Sequence, residues 1–161
     1  MDFGRRQPPW QDSRRDDRWA HSGRRGTKPR RKLSRHVKVV HRASGSVLVE
    51  KARWCSSAWC RLRGLQFKRR LEPGEALLLV HPGEGVALSA IHMFFVFFPI
   101  AAIWIDSRGL VTTATLARPW RPYYASAAPA RYVLESSPDI LDRISVGEEV
   151  DFLNLDPGEA G

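Results

Sequence analysis

Four arginines and one tryptophan are the side chains of this sequence best suited to hold a ligand. Arg61 and Arg63 lie two positions apart. Further along the chain, Arg118 and Arg121 bracket Trp120. A guanidinium group binds a carboxylate or a phosphate through paired hydrogen bonds, and it also stacks on aromatic rings. The pattern therefore predicts a site for a small anionic ligand.

The same arginines have a structural alternative. They could form ion pairs with Glu75, Asp106 or Glu135 and so hold loops against the body of the protein. Prolines on both sides of the Trp-Arg pair are typical of a rigid loop. We favour this structural interpretation over the ligand site, because arginine commonly serves it.

His92 is the one titratable side chain in the uncharged run between Val86 and Ile105. It is a candidate for contact with a ligand. The alternative is a structural histidine that hydrogen-bonds to the backbone, as most buried polar side chains do.

Cys55, Cys60, His81 and His92 are the residues that a metal site would have to use. Zinc ligands normally come as close pairs, with two to four residues between cysteines and three to five between histidines. Here the two histidines lie eleven positions apart. On one helix, residues five positions apart would point about 140° away from each other. We predict no metal site and interpret the cysteines as small buried apolar residues.

Catalytic chemistry has little support in the sequence. Cys60, His92 and Glu135 would supply a nucleophile, a base and an acid, but no nucleophile elbow surrounds the cysteine. Phosphate loops, dinucleotide-binding glycine motifs and paired carboxylates are also missing from the sequence. We predict no catalytic residues and no cofactor.

The positive charge lies almost entirely in the N-terminal segment. Residues 1–42 contain 14 lysines and arginines against 4 acidic residues, whereas residues 43–161 contain 12 against 13. The polar composition of this segment predicts a disordered arm over residues 1–45. Its densest basic run could contact nucleic acid or another anionic partner: Arg24, Arg25, Lys28, Arg30, Arg31 and Lys32. The alternative is a solubilising extension without a specific partner.

The run from Val86 to Ile105 is long enough to cross a bilayer as a helix. Pro99 interrupts it, and its Phe, Val, Ile and Trp residues favour strands over helix. We therefore predict two buried strands that are broken at Pro99, and a membrane anchor is the alternative.

Short apolar segments separated by turn residues continue through the rest of the chain. They predict a mainly-β domain over residues 46–154, either a small barrel or a sandwich with one or two short helices, and a tail at residues 155–161. No apolar signal segment follows the first arginines. We therefore expect a soluble, cytoplasmic protein with reduced thiols.

Several motifs in a fixed order resemble those of a known family. They lie at residues 61–65 (RLRGL), 70–77 (RLEPGEAL), 91–100 (IHMFFVFFPI), 118–121 (RPWR), 132–135 (YVLE) and 146–148 (VGE). Over residues 47–153 the chain resembles the domain of unknown function 192 family, and the resemblance implies a compact, mainly-β domain without an established activity. Family members usually have an acidic residue where this chain has Ala101, and many have methionine where it has Gln66.

We interpret the chain as a non-catalytic binding or accessory domain with a basic arm. The first alternative is an enzyme or a receptor for a small anionic ligand near His92 and the Arg118–Trp120–Arg121 loop. The second alternative is a protein anchored in a membrane through Val86–Ile105.

Overall fold

The computed structural model describes residues 36–155 as a mainly-β domain, which confirms the predicted fold class. Seven strands, one α-helix and one 3₁₀ helix follow one another along these residues. In chain order the elements are β1 (His36–His41), β2 (Val47–Cys55), α1 (Ala58–Arg63), β3 (Glu75–Val80), β4 (Ile100–Ile105), β5 (Val111–Ala117), β6 (Tyr132–Ser136), the 3₁₀ helix (Pro138–Asp142) and β7 (Val150–Asn154).

The strands form one sheet in the order β5-β4-β6-β3-β2-β1-β7. All neighbouring strands are antiparallel except β2 and β3, which are parallel because α1 and the loop after it connect them. The sheet curls into a half-barrel, and its two edges meet at one corner. There the Val111 N–H donates to the Glu148 carbonyl at 2.8 Å, and the Val150 N–H donates to the Gly109 carbonyl at 2.9 Å.

Apolar side chains cover both faces of the sheet and form two cores. The first core contains Ile103, Ile105 and Leu134 and packs against Ile140 of the 3₁₀ helix. The second core lies under α1 and the loops that follow β3 and β5. Strand β4 is buried at all six positions because it is covered on both faces. This explains why its sequence, IAAIWI, lacks the alternation of a half-exposed strand.

Strand β1 corrects the predicted boundary of the N-terminal arm. The arm was expected to extend to residue 45, but His36–His41 lies in the sheet between β2 and β7. Val37 and Val39 are fully buried there. Three valines among basic residues carry too little apolar signal to indicate a strand, because both neighbouring strands supply the rest of the burial. The six basic residues from Arg24 to Lys32 lie outside the described residues.

The apolar run contains one strand rather than two, so this part of the prediction is wrong. Only Ile100–Ile105 enters the sheet, and residues 86–99 form turns with one isolated bridge between Ile91 and Tyr124. A segment with strand propensity forms a strand only where the edge of a neighbouring strand is free to pair with it. In this sheet, β4 already occupies the edge of β6. The run from Val86 to Ile105 forms a loop and strand β4 and not the helix that the membrane-anchor alternative requires, and no helix within residues 36–155 is long and apolar enough to cross a bilayer.

The two cysteines form a disulfide, which contradicts the expectation of reduced thiols. Cys55 ends β2 and Cys60 lies in α1, with their Cα atoms 5.6 Å apart. The helical geometry used in the sequence analysis does not apply to this pair, because Cys55 precedes the helix. The chain turns at Ser56 and Ser57, and this turn brings the first turn of α1 back against the end of the strand.

Candidate ligand-binding site

A cavity of about 270 Å³ lies on the second face of the sheet, between α1 and the loop that follows β3. Its floor comes from β3 and β6, and its walls come from residues 61–66 and 90–96. The charged and ring-bearing polar side chains that line it are Arg61, Arg63, His81, His92 and Glu135.

Glu135 is the charged residue at the centre of this floor. It lies in one cross-strand row with Leu77 of β3 and Ala102 of β4, so its side chain points to the second face of the sheet. The residue is only 5 % exposed. Its Oε2 atom is buried and has no hydrogen-bond partner among the described residues. Burial raises the pKa of this carboxyl group to about 7, although the positive charge of Arg53 acts in the opposite direction.

Two imidazole rings line the same cavity, and each also has a buried nitrogen atom without a hydrogen-bond partner among the described residues. Within residues 36–155, the buried atoms His81 Nε2 and His92 Nδ1 have no hydrogen-bond partner. Burial, and then the positive charge of Arg61, lowers the pKa of His81. The His81 ring is therefore neutral at pH 7, with one donor and one acceptor nitrogen. The His92 ring lies against Phe94, with the ring centroids 5.4 Å apart.

Helix α1 places the two arginines at the cavity. The Ser57 side chain caps the helix by accepting a hydrogen bond from the Cys60 N–H at 3.2 Å. Arg61 is held in place because its Nη1 donates to the Val80 carbonyl at 3.0 Å and to the Ser56 carbonyl. Arg63 is exposed and makes no ion pair within the described part of the chain.

The structure brings together three of the six residues expected at a ligand site, namely Arg61, Arg63 and His92. Arg118, Trp120 and Arg121 do not line the cavity. They form a separate loop that supports the segment carrying His92.

Backbone hydrogen bonds join this loop to Met93, the residue after His92. The Trp120 N–H donates to the Met93 carbonyl at 3.0 Å, and the Met93 N–H donates to the Arg121 carbonyl at 2.8 Å. The Arg118 N–H donates to the Tyr124 hydroxyl at 2.7 Å. The loop thus acts through its backbone, and its two arginine side chains extend into solvent.

The ion pairs expected between these arginines and Glu75, Asp106 or Glu135 do not form among the described residues. Glu75 pairs with Lys68 at 2.5 Å, and Asp106 pairs with Arg108 at 2.9 Å. Glu135 makes no ion pair among the described residues. A charged residue in the apolar strand sequence YVLES, in phase with buried Val133, is the sequence signal that could have marked Glu135 as a site residue.

Within residues 36–155, no three His, Cys, Asp or Glu side chains come together to hold one metal ion. His81, His92 and Glu135 are therefore arranged around a cavity and not around a common point. This arrangement suits a small organic molecule with several polar groups.

The fold and the cavity define a small, curled β-domain with a ligand-sized cavity on one face of its sheet. The chain belongs to the DUF192 family, whose model, described as an uncharacterized ACR, matches residues 39–152. It is 28% identical over 116 residues to a UPF0127 protein of Thermococcus sibiricus, covering 71% of this chain and 73% of that protein. It is 31% identical over 121 residues to a UPF0127 protein of Thermococcus kodakarensis, covering 75% and 74% of the two chains.

Solved structures share this fold. A Sinorhizobium meliloti protein described as a candidate transcription regulator superposes with a TM-score of 0.64 at 22% identity, over 73% of this chain and 92% of that one. A Novosphingobium aromaticivorans protein of unknown function superposes with a TM-score of 0.62 at 21% identity, over 72% and 83% of the two chains. At these identities the likeness concerns the fold alone.

Ala101, where the family usually has an acidic residue, lies away from the cavity. It is fully buried in the first core, whereas Glu135 points to the second face. The absence of an acid at residue 101 therefore leaves the cavity unaltered and makes the first core entirely apolar at this position.

Proposed function

We propose that this domain binds a small polar molecule in the cavity above Glu135. The observation that carries the proposal is that three residues lining one cavity, Glu135, His81 and His92, each have a buried side-chain atom without a hydrogen-bond partner among the described residues. A buried polar atom without a partner is costly, and it is usually explained by a ligand, a water molecule or a catalytic role.

The lining residues specify the chemistry of the ligand. A hydroxyl or amino group would donate a hydrogen bond to Glu135 at the floor. A carboxylate or phosphate group would meet the guanidinium of Arg63, which is exposed near the opening. The cavity volume of about 270 Å³ suits a ligand of the size of an amino acid or a monosaccharide.

A competing proposal is an enzyme that acts on a substrate of this kind. It has one specific observation in its favour, because a carboxyl group with a pKa of about 7 is suited to general acid–base catalysis near neutral pH. The binding proposal needs no further assumption, whereas the enzyme also requires a reacting group. We therefore favour binding.

The test is a screen of single compounds by thermal unfolding of the full-length protein. The probes are L-amino acids, monosaccharides and inorganic phosphate, and the variants are Glu135→Gln and Arg63→Gln. We expect at least one probe to raise the Tm of the wild-type protein and to lose most of this effect in both variants. Chemical conversion of that probe by the protein would favour the enzyme.

Two exposed residues outside the cavity provide matched controls. Glu72→Gln and Arg69→Gln remove the same charges from the surface and should leave the effect of the probe unchanged. A screen in which no probe raises the Tm, or in which Glu135→Gln responds like the wild type, would contradict the proposal.

The role of the basic arm is a separate proposal, supported by the sequence alone. The excess of 10 positive charges in residues 1–42 would attract nucleic acid or another polyanion. Fluorescence anisotropy of labelled DNA and RNA across a salt series tests it. A full-length variant with glutamine at all six basic positions from Arg24 to Lys32 should lose salt-sensitive binding. Equal binding by both proteins would sink the idea.

We also propose a cellular compartment for this protein. A cytoplasmic location with reduced thiols was expected because no apolar signal segment follows the first arginines, but the Cys55–Cys60 disulfide supports an oxidising compartment instead. Alkylation of acid-quenched cells followed by mass measurement decides between them. Alkylated cysteines in the native protein would restore the cytoplasmic expectation.

A further inference from the structure

Four aromatic side chains form a compact exposed cluster beside the cavity, which we call the aromatic platform: Phe67, Phe95, Phe97 and Trp120. Phe67 stacks on Phe95 with ring centroids 5.2 Å apart. Trp120 meets Phe95 at 5.6 Å and Phe97 at 5.4 Å, in both cases edge to face. The four rings thus form one continuous apolar surface from three separate segments of the chain.

These rings are exposed to an unusual degree for such large apolar side chains. Phe67 is 64 % exposed, Phe95 46 %, Phe97 56 % and Trp120 50 %. Trp59 and Leu62 of α1, also exposed, line a surface groove together with Phe67 and extend the same apolar area. Contiguous exposed apolar surface of this kind marks an interaction site.

The backbone holds the platform rings outward. Phe67, Phe95 and Trp120 have φ values of 63°, 60° and 66°, and they are the three non-glycine residues with positive φ within residues 36–155. Bulky side chains rarely adopt this conformation. The Phe67 N–H donates to the Phe95 carbonyl at 2.9 Å, which joins two of these positions directly. Unfavourable backbone conformations that converge on one surface point to a function for that surface.

The chain segments that form and flank the platform carry only positively charged side chains. Residues 56–70, 90–99 and 117–123 supply the platform and its surroundings, and they contain seven lysines and arginines and no acidic residue. Lys68 and Arg70 pair with glutamates outside these segments. The other exposed arginines have no acidic partner within the described residues: Arg63, Arg69, Arg118 and Arg121.

We propose that the aromatic platform docks this domain onto an anionic membrane surface. Aromatic rings insert at the boundary between lipid headgroups and acyl chains, and arginines around them attract anionic headgroups. Single-stranded nucleic acid is less well suited, because bases stack on free ring faces and Phe67 and Phe95 already cover each other. The proposal stands independently of the ligand in the cavity.

The experiment is vesicle co-sedimentation with the full-length protein, using phosphatidylcholine vesicles with and without phosphatidylglycerol. All variants carry glutamine at the six basic positions of the arm, which lowers the charge excess of residues 1–42 from 10 to 4 and weakens the attraction that the arm contributes. We expect binding to the anionic vesicles only. Phe95→Asn with Phe97→Ser should weaken it about tenfold or more, since asparagine tolerates positive φ and two inserting rings are lost.

The arginines and the surrounding surface are tested in the same way. Arg118→Gln with Arg121→Gln should weaken binding at low salt and reduce its salt dependence. Val146→Ser removes a side chain that is 60 % exposed in the turn before β7, so it is the matched control and should bind normally. Thermal unfolding of each variant shows that it is folded.

Three results would overturn the proposal. The first is that the protein with glutamine at these six arm positions fails to bind anionic vesicles. The second is that the Phe95→Asn, Phe97→Ser protein binds like the Val146→Ser control. The third is that oligothymidylate binds in place of vesicles and depends on the same aromatic residues, which would assign the platform to nucleic acid.

Discussion

Gly64 faces the carboxyl group of Glu135 at the place where α1 ends. A Cβ atom at residue 64 would lie 3.8 Å from Glu135 Oε2. Gly64 also closes the helix, because its N–H donates to the Cys60 carbonyl at 2.9 Å while its φ is +45°. One glycine therefore both ends the helix that carries the arginines and keeps the space in front of the buried acid open.

Replacing Gly64 with alanine is expected to lower the free energy of unfolding by about 1–2 kcal/mol, because an L-residue is strained at positive φ. Urea denaturation measures the loss. Gly83→Ala is the matched control, since nothing lies within 4 Å of a Cβ there and its φ is not positive. Equal losses at the two positions would show that the backbone conformation at Gly64 is not the cause.

Glu135→Gln is expected to change the pH dependence of stability. The pKa of the carboxyl is about 7 in the folded protein against an ordinary value of 4.5, so the folded state keeps the proton bound to a higher pH than the unfolded state does. The stabilisation is complete below pH 4.5 and is lost as the pH rises through 7. The loss in the free energy of unfolding is about 3 kcal/mol. Glutamine cannot ionise, so at pH 8 the free energy of unfolding of the variant should exceed that of the wild type by about the same amount.

Urea midpoints measured across this pH range for both proteins test the expectation, because the difference between them isolates residue 135. Glu72→Gln, at an exposed position, should follow the wild-type curve. A difference between Glu135→Gln and the wild type that does not vary with pH would mean that the carboxyl has the same pKa in the folded and the unfolded protein.

Gly109→Ala is expected to disrupt the corner where the two edges of the sheet meet. A Cβ at residue 109 would lie 2.4 Å from the Val150 carbonyl oxygen, which is backbone and cannot move aside. Gly147 has a similar φ of +94° against +93°, but nothing lies within 4 Å of a Cβ there. The two alanine variants therefore share the conformational cost, and only Gly109→Ala has the clash.

We expect Gly109→Ala to be less stable than Gly147→Ala by about 2 kcal/mol or more, as for other overpacked sites. Thermal and urea denaturation of both variants measure the difference. Equal stability would show that β7 is not held against the β4–β5 turn in solution.

Reduction of the Cys55–Cys60 disulfide is expected to lower the free energy of unfolding by about 2 kcal/mol, because the bond restricts the unfolded chain. The effect is at the lower end of the usual range because the bond closes only a short ring. Denaturation with and without dithiothreitol measures this effect, and intact mass after alkylation verifies the bond. The Cys60→Ala variant should have the lower stability and should not respond to dithiothreitol. Alkylation of both cysteines without any reductant would contradict the disulfide.

Local sequence signals were sufficient where one turn or one cap decides the structure. Ser57 caps a short helix, Ser107–Gly109 turns one strand of the β4–β5 hairpin into the next, and Pro99 immediately precedes β4. Short apolar segments bounded by turn residues also indicated β2, β3 and β6. These features depend on residues that are close together in the chain.

Three features were missed or wrong, and the first two depend on residues that are distant in the chain. Strand β1 forms because β2 and β7 lie on both sides of it. Tyr124 and the backbone of Trp120 and Arg121, about 30 residues further along the chain, hold residues 86–99 as a loop. Ile91, for example, pairs with Tyr124 at a separation of 33 residues. The disulfide forms because a strand end and a helix start meet.

The amino-acid sequence by itself determined the mainly-β class and the family, since these follow from residue type, the spacing of short apolar segments and motif order. Only the tertiary structure decided that Glu135, His81 and His92 share one cavity and that four aromatic rings from three segments share one surface. The physical reason is burial. Whether a charged or aromatic side chain is enclosed, paired or exposed depends on which segments pack over it, and the sequence around that residue does not contain this information.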